Sequence, residues 1–439
     1  MIKEIKKSEE LENQTTEKIL LEPAKVLDPD DVKKLMEELG FLIVKKNKQD
    51  PNGFYYNYKW DSCYSERRLY NIGISRKIIE KWVNGKNSGC YTLSFRPDMN
   101  QGKFLDETEE PCWNTFNGWQ ITPEKRDWAL IKDFLFRIIC HSNESDFEYL
   151  LKWCSKIISH PESKSGVAIA LGGAQGSGKT TFYNIIKTII GGKYCARTNK
   201  KALEERFNGF LMNNILCYMN ESCLNDELYE MTKEWITDDE TRIQFKGVDC
   251  STEKNFSNFI LATNKPNMVD LTADDRRWFI LETSNEEIGT EYFANFYQGD
   301  EFTDKVKNEL AGFMEYLYEL DIKRLEKPPL NEAKKEQIKM AETKIISWFN
   351  DWIKEPECKE HSFISGTDKV IKASVAHNAF EKDPNGENVN IKYFIKELER
   401  NGRMKTKLIR GAKYFIITDL LNNEETTIEE MLNVEENKI

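Results

Sequence analysis

The sequence predicts an α/β protein built around a central parallel β-sheet. Residues 167–171 are an apolar run typical of a buried strand; a glycine-rich turn follows, and apolar residues then recur at helical spacing until Gly191 and Gly192. Three further apolar runs follow in series, at residues 215–219, 258–263 and 278–281. Strands arranged in series after a strand, turn and helix unit favour a parallel sheet covered by helices.

The 439 residues exceed one average core, so two or three domains are expected. We predict an α+β N-terminal accessory domain at residues 1–112. The central core with its helical lead-in occupies residues 113–325. A mostly helical C-terminal domain follows at residues 326–439, and its final hairpin, around Arg410 and Gly411, suggests a winged-helix-like module ahead of an acidic tail.

The N-terminal segment carries weaker signals. Residues 1–24 are charged and poor in aromatic residues, which predicts a solvated arm or a surface helix. Val32, Leu35 and Met36 fall at helical spacing ahead of Gly40. The aromatic run at residues 54–60 is more typical of a half-buried strand than of a base-stacking surface.

Composition limits the class of protein. The formal charge of -11, from 63 basic and 74 acidic side chains, argues against a polycationic surface for nonspecific nucleic-acid binding. Any contact with DNA must therefore be local, in a groove or channel. No apolar run approaches the ~20 residues of a membrane helix, and no secretory signal is evident. The ten cysteines show no zinc-ligand spacing, so we expect free thiols in a reducing cytoplasm.

Residues 173–180 satisfy GxxxxGK[ST], the pattern of a phosphate-binding loop, and lie between a strand and a helix as that loop requires. Backbone N–H groups at the positive end of the helix would surround phosphates, Lys179 would reach the terminal phosphates, and the Thr180 hydroxyl would bind magnesium. A structural glycine turn is the alternative, but it would not need all three features. The predicted site for ATP and Mg²⁺ comprises Gly173, Ala174, Gln175, Gly176, Ser177, Gly178, Lys179, Thr180 and Thr181.

Two polar residues, Asn220 and Glu221, follow the second apolar run. A carboxylate at the carboxyl end of a neighbouring parallel strand lies beside the nucleotide. We expect Glu221 to orient and polarise the attacking water and Asn220 to support the magnesium shell, so Thr180, Asn220 and Glu221 form the predicted metal site. The alternative is a strand that merely ends in a polar pair.

Asn264 ends the third apolar run, where it would hold the attacking water or the terminal phosphate; an asparagine in a turn is the alternative. Arg276 and Arg277 precede the fourth run. An arginine at the far edge of such a core usually faces a neighbouring subunit's nucleotide, where it accelerates the reaction by roughly 10³ to 10⁵. An intrachain salt bridge to the adjacent aspartates is the alternative. We favour Arg277 because it directly precedes Trp278.

These motifs, in this order, resemble those of superfamily 3 helicases, the ring-forming motors of viruses, phages and plasmids. The resemblance covers roughly residues 113–350 and extends to the helicase regions of phage primase-polymerases and poxvirus-type primase-helicases. Asn220 departs from the pattern, because many members carry an acid there. The resemblance implies an AAA+ core, a hexameric ring and 3′ to 5′ movement on single-stranded or forked DNA. It also implies a place in the cytoplasm of a bacterial host and fusion to, or cooperation with, a primase-polymerase.

The same resemblance implies a β-hairpin that points into the central channel. We expect the segments RIQFKGV and NFSNFIL to pair, with DCSTE near the turn. Lys246 and Lys254 are the basic candidates for contact with a single strand, and such contacts weaken with salt. Phe245 would stack on a base. The alternatives are solvated strand lysines and a core phenylalanine.

We therefore predict an ATPase and ring-shaped DNA helicase of a phage or plasmid replisome. Two alternatives stay open. A P-loop kinase would phosphorylate a small molecule as a monomer, and an ATP-gated DNA-binding ring or loader would not unwind DNA. No primase-like acidic triad is evident, so we expect the chain to be the rear part of a larger replication enzyme.

Overall fold

The computed structural model describes most of the chain. The described residues are 29–44, 55–85, 90–199, 203, 208–220, 226–244, 250–269, 271, 275–340, 344–354, 358, 362–365, 368–383, 389–400, 404–409 and 412–418. The N-terminal arm and the acidic tail lie outside them. Within them, no helix combines the length and apolar character needed to cross a bilayer, and the cysteines form no disulfide.

A parallel sheet of five strands forms the centre of the molecule. Its strands are β7 (Ala168–Gly172), β8 (Cys195–Asn199), β9 (Leu216–Asn220), β12 (Asn258–Ala262) and β13 (Trp278–Glu282). The spatial order is β13-β7-β12-β9-β8, and every neighbouring pair is parallel. The predicted parallel sheet is therefore confirmed. Strand β8, which the sequence pattern did not reveal, forms one edge.

Helices cover both faces of this sheet, which explains why the inner strands are almost entirely apolar. In β7, Ile169 and Leu171 face one core, while Ala168 and Ala170 face the other, because successive strand side chains point to opposite faces. The first core is formed with α4 (Ala129–Asp133), the π-helical turn Phe134–Ile139, α5 (Glu144–Ser159), α6 (Lys179–Ile190) and α8 (Asp304–Leu320). A short hairpin of β14 (Tyr297–Gln298) and β15 (Glu301–Phe302) precedes α8. The second is formed with α7 (Asp226–Thr237) and α9 (Glu332–Met340).

The N-terminal segment forms a mixed six-stranded sheet in the order β3-β2-β1-β4-β6-β5. Its elements are α1 (Pro29–Glu38), β1 (Phe41–Val44), β2 (Tyr55–Asn57), β3 (Ser62–Tyr64), α2 (Glu66–Asn71), α3 (Arg76–Val83), β4 (Cys90–Ser94), β5 (Gly102–Leu105) and β6 (Pro111–Asn114). Tyr55 and Tyr56 are buried in β2, so the strand interpretation of this aromatic run is confirmed.

The C-terminal segment contains more strand than the sequence predicted. Its helices are α10 (Lys344–Trp352), α11 (Ala373–Lys382) and α12 (Ile391–Arg400), and its strands are β16 (Ser362–Ser365), β17 (Asp368–Lys372), β18 (Met404–Ile409) and β19 (Ala412–Thr418). The predicted final hairpin is present as β18 and β19. This hairpin belongs to a larger sheet than the sequence predicted, because β17 pairs with β19 and the sheet has four strands. Short strands such as β16 and β17 can be recognised only when their pairing with other strands is known. The winged-helix-like interpretation and the domain boundaries stay predictions.

Helix α9 holds the segment that leads into β13 through polar contacts. The Lys334 ammonium is buried and donates to the carbonyl oxygens of Asp275 at 2.8 Å and Trp278 at 3.0 Å. Burial lowers the pKa of Lys334. One turn later, the Gln337 amide accepts from the Met268 N–H and donates to the Pro266 carbonyl. Satisfied buried polar groups of this kind fix geometry more strictly than apolar contacts do.

We expect Lys334→Ala to lower the free energy of unfolding by about 2–3 kcal/mol, because two buried carbonyl oxygens lose their donor. The matched control is Lys335→Ala. Lys335 is exposed and pairs with Glu332 three residues away, so its loss should change stability by only about 0–0.5 kcal/mol. Urea unfolding followed by tryptophan fluorescence measures both. Equal effects would show that the buried contacts contribute no more than an exposed ion pair.

Candidate functional site

The turn between β7 and α6 has a backbone that only glycine adopts without clashes. Gly173 has φ +136°, and a Cβ there would lie 2.1 Å from the Thr283 Oγ1 atom. Gly178 has φ +89°, and its Cβ would lie 2.8 Å from the Phe134 ring. Both positions combine a left-handed backbone with a neighbour at contact distance. The loop predicted from the glycine pattern is therefore a closely packed structure that directs residues 173–178 over the start of α6.

Thr283, the first residue after β13, ties this loop to the sheet. Its hydroxyl donates to the Gly172 carbonyl at 2.9 Å and shares a 2.6 Å hydrogen bond with the Ser177 hydroxyl. All of these atoms are buried. Sequence analysis missed this residue; the available signal was a threonine at the end of the fourth apolar run, where the carboxyl ends of parallel strands meet.

Lys179 lies inside the loop. Its ammonium donates to the carbonyl oxygens of Gly173 at 2.7 Å and Ala174 at 2.8 Å, and to the Ser177 hydroxyl at 3.3 Å. The side chain is 8% exposed, and burial lowers its pKa. The fold thus encloses a cation among backbone atoms at the amino end of a helix, a setting that attracts anions.

A cavity of about 490 Å³ opens over this loop. On one side of β7, Asn220 and Asn264 line it from the carboxyl ends of β9 and β12. Phe293 and Tyr297, which follow β13 in the chain, also line it. The described lining residues include no carboxylate; they are Gln175, Gly176, Ser177, Gly178, Lys179, Thr180, Thr181, Arg197, Tyr218, Asn220, Ala262, Thr263, Asn264, Phe293 and Tyr297. Polar and aromatic side chains in one cavity suit a phosphate chain joined to a ring system.

The structure brings together part of the predicted metal site. Thr180 and Asn220 line the same cavity, and the Thr180 hydroxyl lies 3.3 Å from the Tyr218 hydroxyl. Glu221 lies outside the described residues. In the described part of the chain, no three acidic, histidine or cysteine side chains gather into a metal site. The roles of these three residues stay predictions.

Arg277 lies at the opposite end of the sheet from the loop. It directly precedes β13, whose first residue pairs with Ala168 and whose last pairs with Gly172. Five residues of strand separate the two ends by roughly 17 Å. Its guanidinium is 3.9 Å from the Asp275 carboxylate, which also accepts from the Tyr229 hydroxyl at 2.6 Å. The intrachain contact considered as an alternative is thus present, while the Arg277 Nε atom is buried without a hydrogen bond to any described residue.

The other basic candidates are dispersed. Arg276 is exposed, and no ion pair among the described residues involves it. Lys254 is exposed at the end of β11 (Ser251–Lys254) and lines a second cavity, of about 800 Å³, between the N-terminal sheet and this strand. Phe245 and Lys246 lie outside the described residues.

The strand pairing observed in this region differs from that of the predicted hairpin. β11 pairs antiparallel with β10 (Glu240–Ile243), and Lys254 is opposite Glu240. The segment NFSNFIL instead supplies β12 of the central sheet, so the expected pairing with RIQFKGV is wrong. The reason is burial: the apolar residues of β12 are buried between β7 and β9, whereas β11 alternates half-buried and exposed residues.

Comparisons of sequence and of structure both find similarity to a protein of phage NrS-1. Residues 171–277 match a family of unknown function, DUF5906. The DNA primase-polymerase of Nitratiruptor phage NrS-1 is 25% identical over 250 residues, which make up 53% of this chain and 34% of that protein. An apo A-form structure of the NrS-1 C-terminal region aligns with a TM-score of 0.63 and 19% identity over 89% of this chain and 100% of that one. A second apo structure of that region gives 0.62 and 18%.

The chain is therefore homologous to the C-terminal region of a phage primase-polymerase and shares its fold, so the predicted relation to this type of protein is confirmed. The chain spans about a third of that relative's length.

We expect Gly173→Ala to abolish nucleotide binding, because a Cβ at 2.1 Å from the Thr283 hydroxyl displaces the loop. Binding of a fluorescent ATP analogue measures the effect. The matched control is Gly166→Ala, since Gly166 also has a positive φ of +69° but its Cβ would meet no atom within 4 Å. Tight binding by the Gly173 variant would contradict the proposed loop geometry.

Proposed function

We propose that the chain is an ATP-driven, ring-shaped DNA helicase motor of the AAA+, superfamily 3 type that acts in phage DNA replication. Support comes from three sources. The described site combines a loop with the GxxxxGK[ST] pattern and polar residues at the ends of two neighbouring strands. The strand order places a topological switch beside β7, where ligands bind in open α/β sheets. The homologous phage protein is a primase-polymerase.

The residues present suit a nucleoside triphosphate with Mg²⁺. Gly173 and Gly178 leave space that any other side chain would fill, and Lys179 provides a buried positive charge. Residues 173–181 would hold the phosphates, and Thr180 with Asn220 and Glu221 would hold the metal ion, which neutralises phosphate charge when bound. Phe293 and Tyr297 offer aromatic surface to the base.

Within this site each side chain has a separate task. Glu221 would accept the proton of the attacking water, and Asn264 would orient that water or the terminal phosphate. Lys179 would stabilise the charge that develops on the phosphate oxygens. Tyr218 supports the Thr180 hydroxyl through its own hydroxyl group.

The observation that carries the proposal of a ring is the position of Arg277. It lies at the amino end of β13, while the phosphate-binding loop follows the carboxyl end of β7. Because a strand separates them, Arg277 cannot reach the loop of its own chain. A catalytic arginine at this position would serve the site of an adjacent subunit, as in ring-forming motors.

DNA would contact a limited surface. The chain has a formal charge of -11, so a phosphate-binding surface must come from a few lysines repeated around a ring. Lys254 and Lys246 are the proposed contacts, with Phe245 as a stacking residue. The primase-polymerase relative supports DNA, single-stranded or forked, as the partner.

We expect Arg277→Ala to lower the rate of DNA-stimulated ATP hydrolysis by roughly 10³-fold or more while leaving nucleotide binding intact. Mass photometry of the wild-type protein, with a nonhydrolysable ATP analogue, should show a hexamer. Arg276→Ala is the matched control and should retain most activity. A wild-type protein that is monomeric at all concentrations yet fully active would exclude the ring.

We expect the wild-type protein to unwind a forked DNA duplex in the presence of ATP, moving 3′ to 5′. Glu221→Gln should bind ATP and DNA but not unwind, because an amide cannot accept the proton of water. A gel assay with a labelled fork tests both variants. Rapid ATP hydrolysis without strand separation would favour the loader, and equal unwinding by both proteins would refute the assignment of Glu221.

A further inference from the structure

Arg197 is a cation in the wall of the nucleotide cavity that sequence analysis did not identify. It lies at the centre of β8, in register with Tyr218 on β9. Its side chain is exposed to the cavity, which it lines together with Thr180, Asn220 and Asn264. It is therefore on the side of β7 where the terminal phosphate and the metal ion are proposed to bind.

Two stacked tyrosines position this arginine. The rings of Tyr183 and Tyr218 are 4.4 Å apart and inclined by 22°. The Arg197 guanidinium lies 5.2 Å from the Tyr218 ring centre and 5.9 Å from that of Tyr183. Since the Tyr218 hydroxyl is 3.3 Å from that of Thr180, the same stack connects the guanidinium to the predicted magnesium ligand. Cation–π contacts hold a guanidinium in place without neutralising its charge.

The part of the site that the structure describes gives Arg197 no acidic partner. No carboxylate among the described residues forms an ion pair with it, and the described lining of the cavity contains no acidic side chain. Lys179, the other cation in the described lining, donates hydrogen bonds to the loop. An arginine has five N–H donors in a planar arrangement that matches phosphate oxygens. Among the described residues, the Arg197 guanidinium forms no ion pair and lines the cavity, where it can donate to phosphate oxygens.

We infer that Arg197 is a catalytic residue that binds the terminal phosphate in the site of its own chain. This inference rests on the proposed ATPase function. During hydrolysis, the water oxygen forms a bond to the terminal phosphorus, the bond to the bridging oxygen breaks, and the water proton ends on a product phosphate. Arg197 donates to the oxygens on which negative charge accumulates. Each site of the ring then uses one arginine from its own subunit and one, Arg277, from the neighbour.

The first test compares steady-state hydrolysis by three variants. Arg197→Ala should lower kcat roughly 100- to 1000-fold, the effect of removing one transition-state donor, while binding of a fluorescent ATP analogue changes little. Arg197→Lys should recover part of kcat. Lys187→Ala is the matched control: Lys187 lies 6.0 Å from the ring centre of the same Tyr183 but does not line the cavity, so its removal should leave kcat unchanged.

The second test distinguishes a residue of the same chain from one supplied by a neighbour. Lys179→Ala subunits have a defective loop but retain Arg277. Mixed with Arg277→Ala subunits, they should restore hydrolysis, because an intact loop meets an intact Arg277. Mixed with Arg197→Ala subunits, they should restore none, because no site contains both Lys179 and Arg197.

The results of these two tests can separate the role of Arg197 from the proposed function. Restored hydrolysis in the Arg197 mixture would overturn the assignment to the same chain. Unchanged kcat in Arg197→Ala, with an active wild-type protein, would overturn the inference but not the proposed function. A wild-type protein that hydrolyses no ATP would overturn the proposed function, and the inference with it.

Discussion

The contact between the loop and the end of β13 is the constraint on which the site depends. Thr283 binds both the Gly172 carbonyl and the Ser177 hydroxyl, and it occupies the space where a Cβ at residue 173 would lie. The shape of the loop therefore depends on the position at which β13 ends. This arrangement fixes the first turn of α6 and hence the positions of Lys179 and Thr180. Distances to Asn220 and Asn264 follow from the register of β9 and β12.

The parallel sheet separates the basic residues assigned to the proposed ATPase site into two groups. Lys179 and Arg197 lie at the carboxyl ends of the strands or beside the cavity that opens there, whereas Arg277 lies at the amino end of β13. A strand is rigid, so this separation persists in any state in which the sheet is intact. Chemistry that needs both groups requires two subunits, which would couple hydrolysis to the contact between neighbours.

The segment that carries Arg277 is held by polar groups. Asp275 binds the Arg277 N–H and the Tyr229 hydroxyl, and Lys334 binds the Asp275 carbonyl. Because the Lys334 ammonium and the Tyr229 and Asp275 groups are buried, these contacts fix the geometry of the segment as well as stabilising it. Helix α9 thereby links the residues that follow the central core to the position of this arginine.

The sequence by itself determined the glycine-rich loop, the helix after it, the parallel sheet, and Asn220 and Asn264 as residues at or just after strand ends. These features depend on local patterns, namely glycine spacing, apolar runs and the polar residues that end them. Only the tertiary structure decided that β11 pairs with β10, that β17 joins a four-stranded sheet with β19, and that Thr283, Tyr218 and Arg197 line or support the site. Arg197 lies in a five-residue edge strand whose local pattern is weak, and it enters the site only because β8 pairs with β9. Pairing between distant segments depends on which surfaces are buried together, and a pattern within one segment does not contain that information.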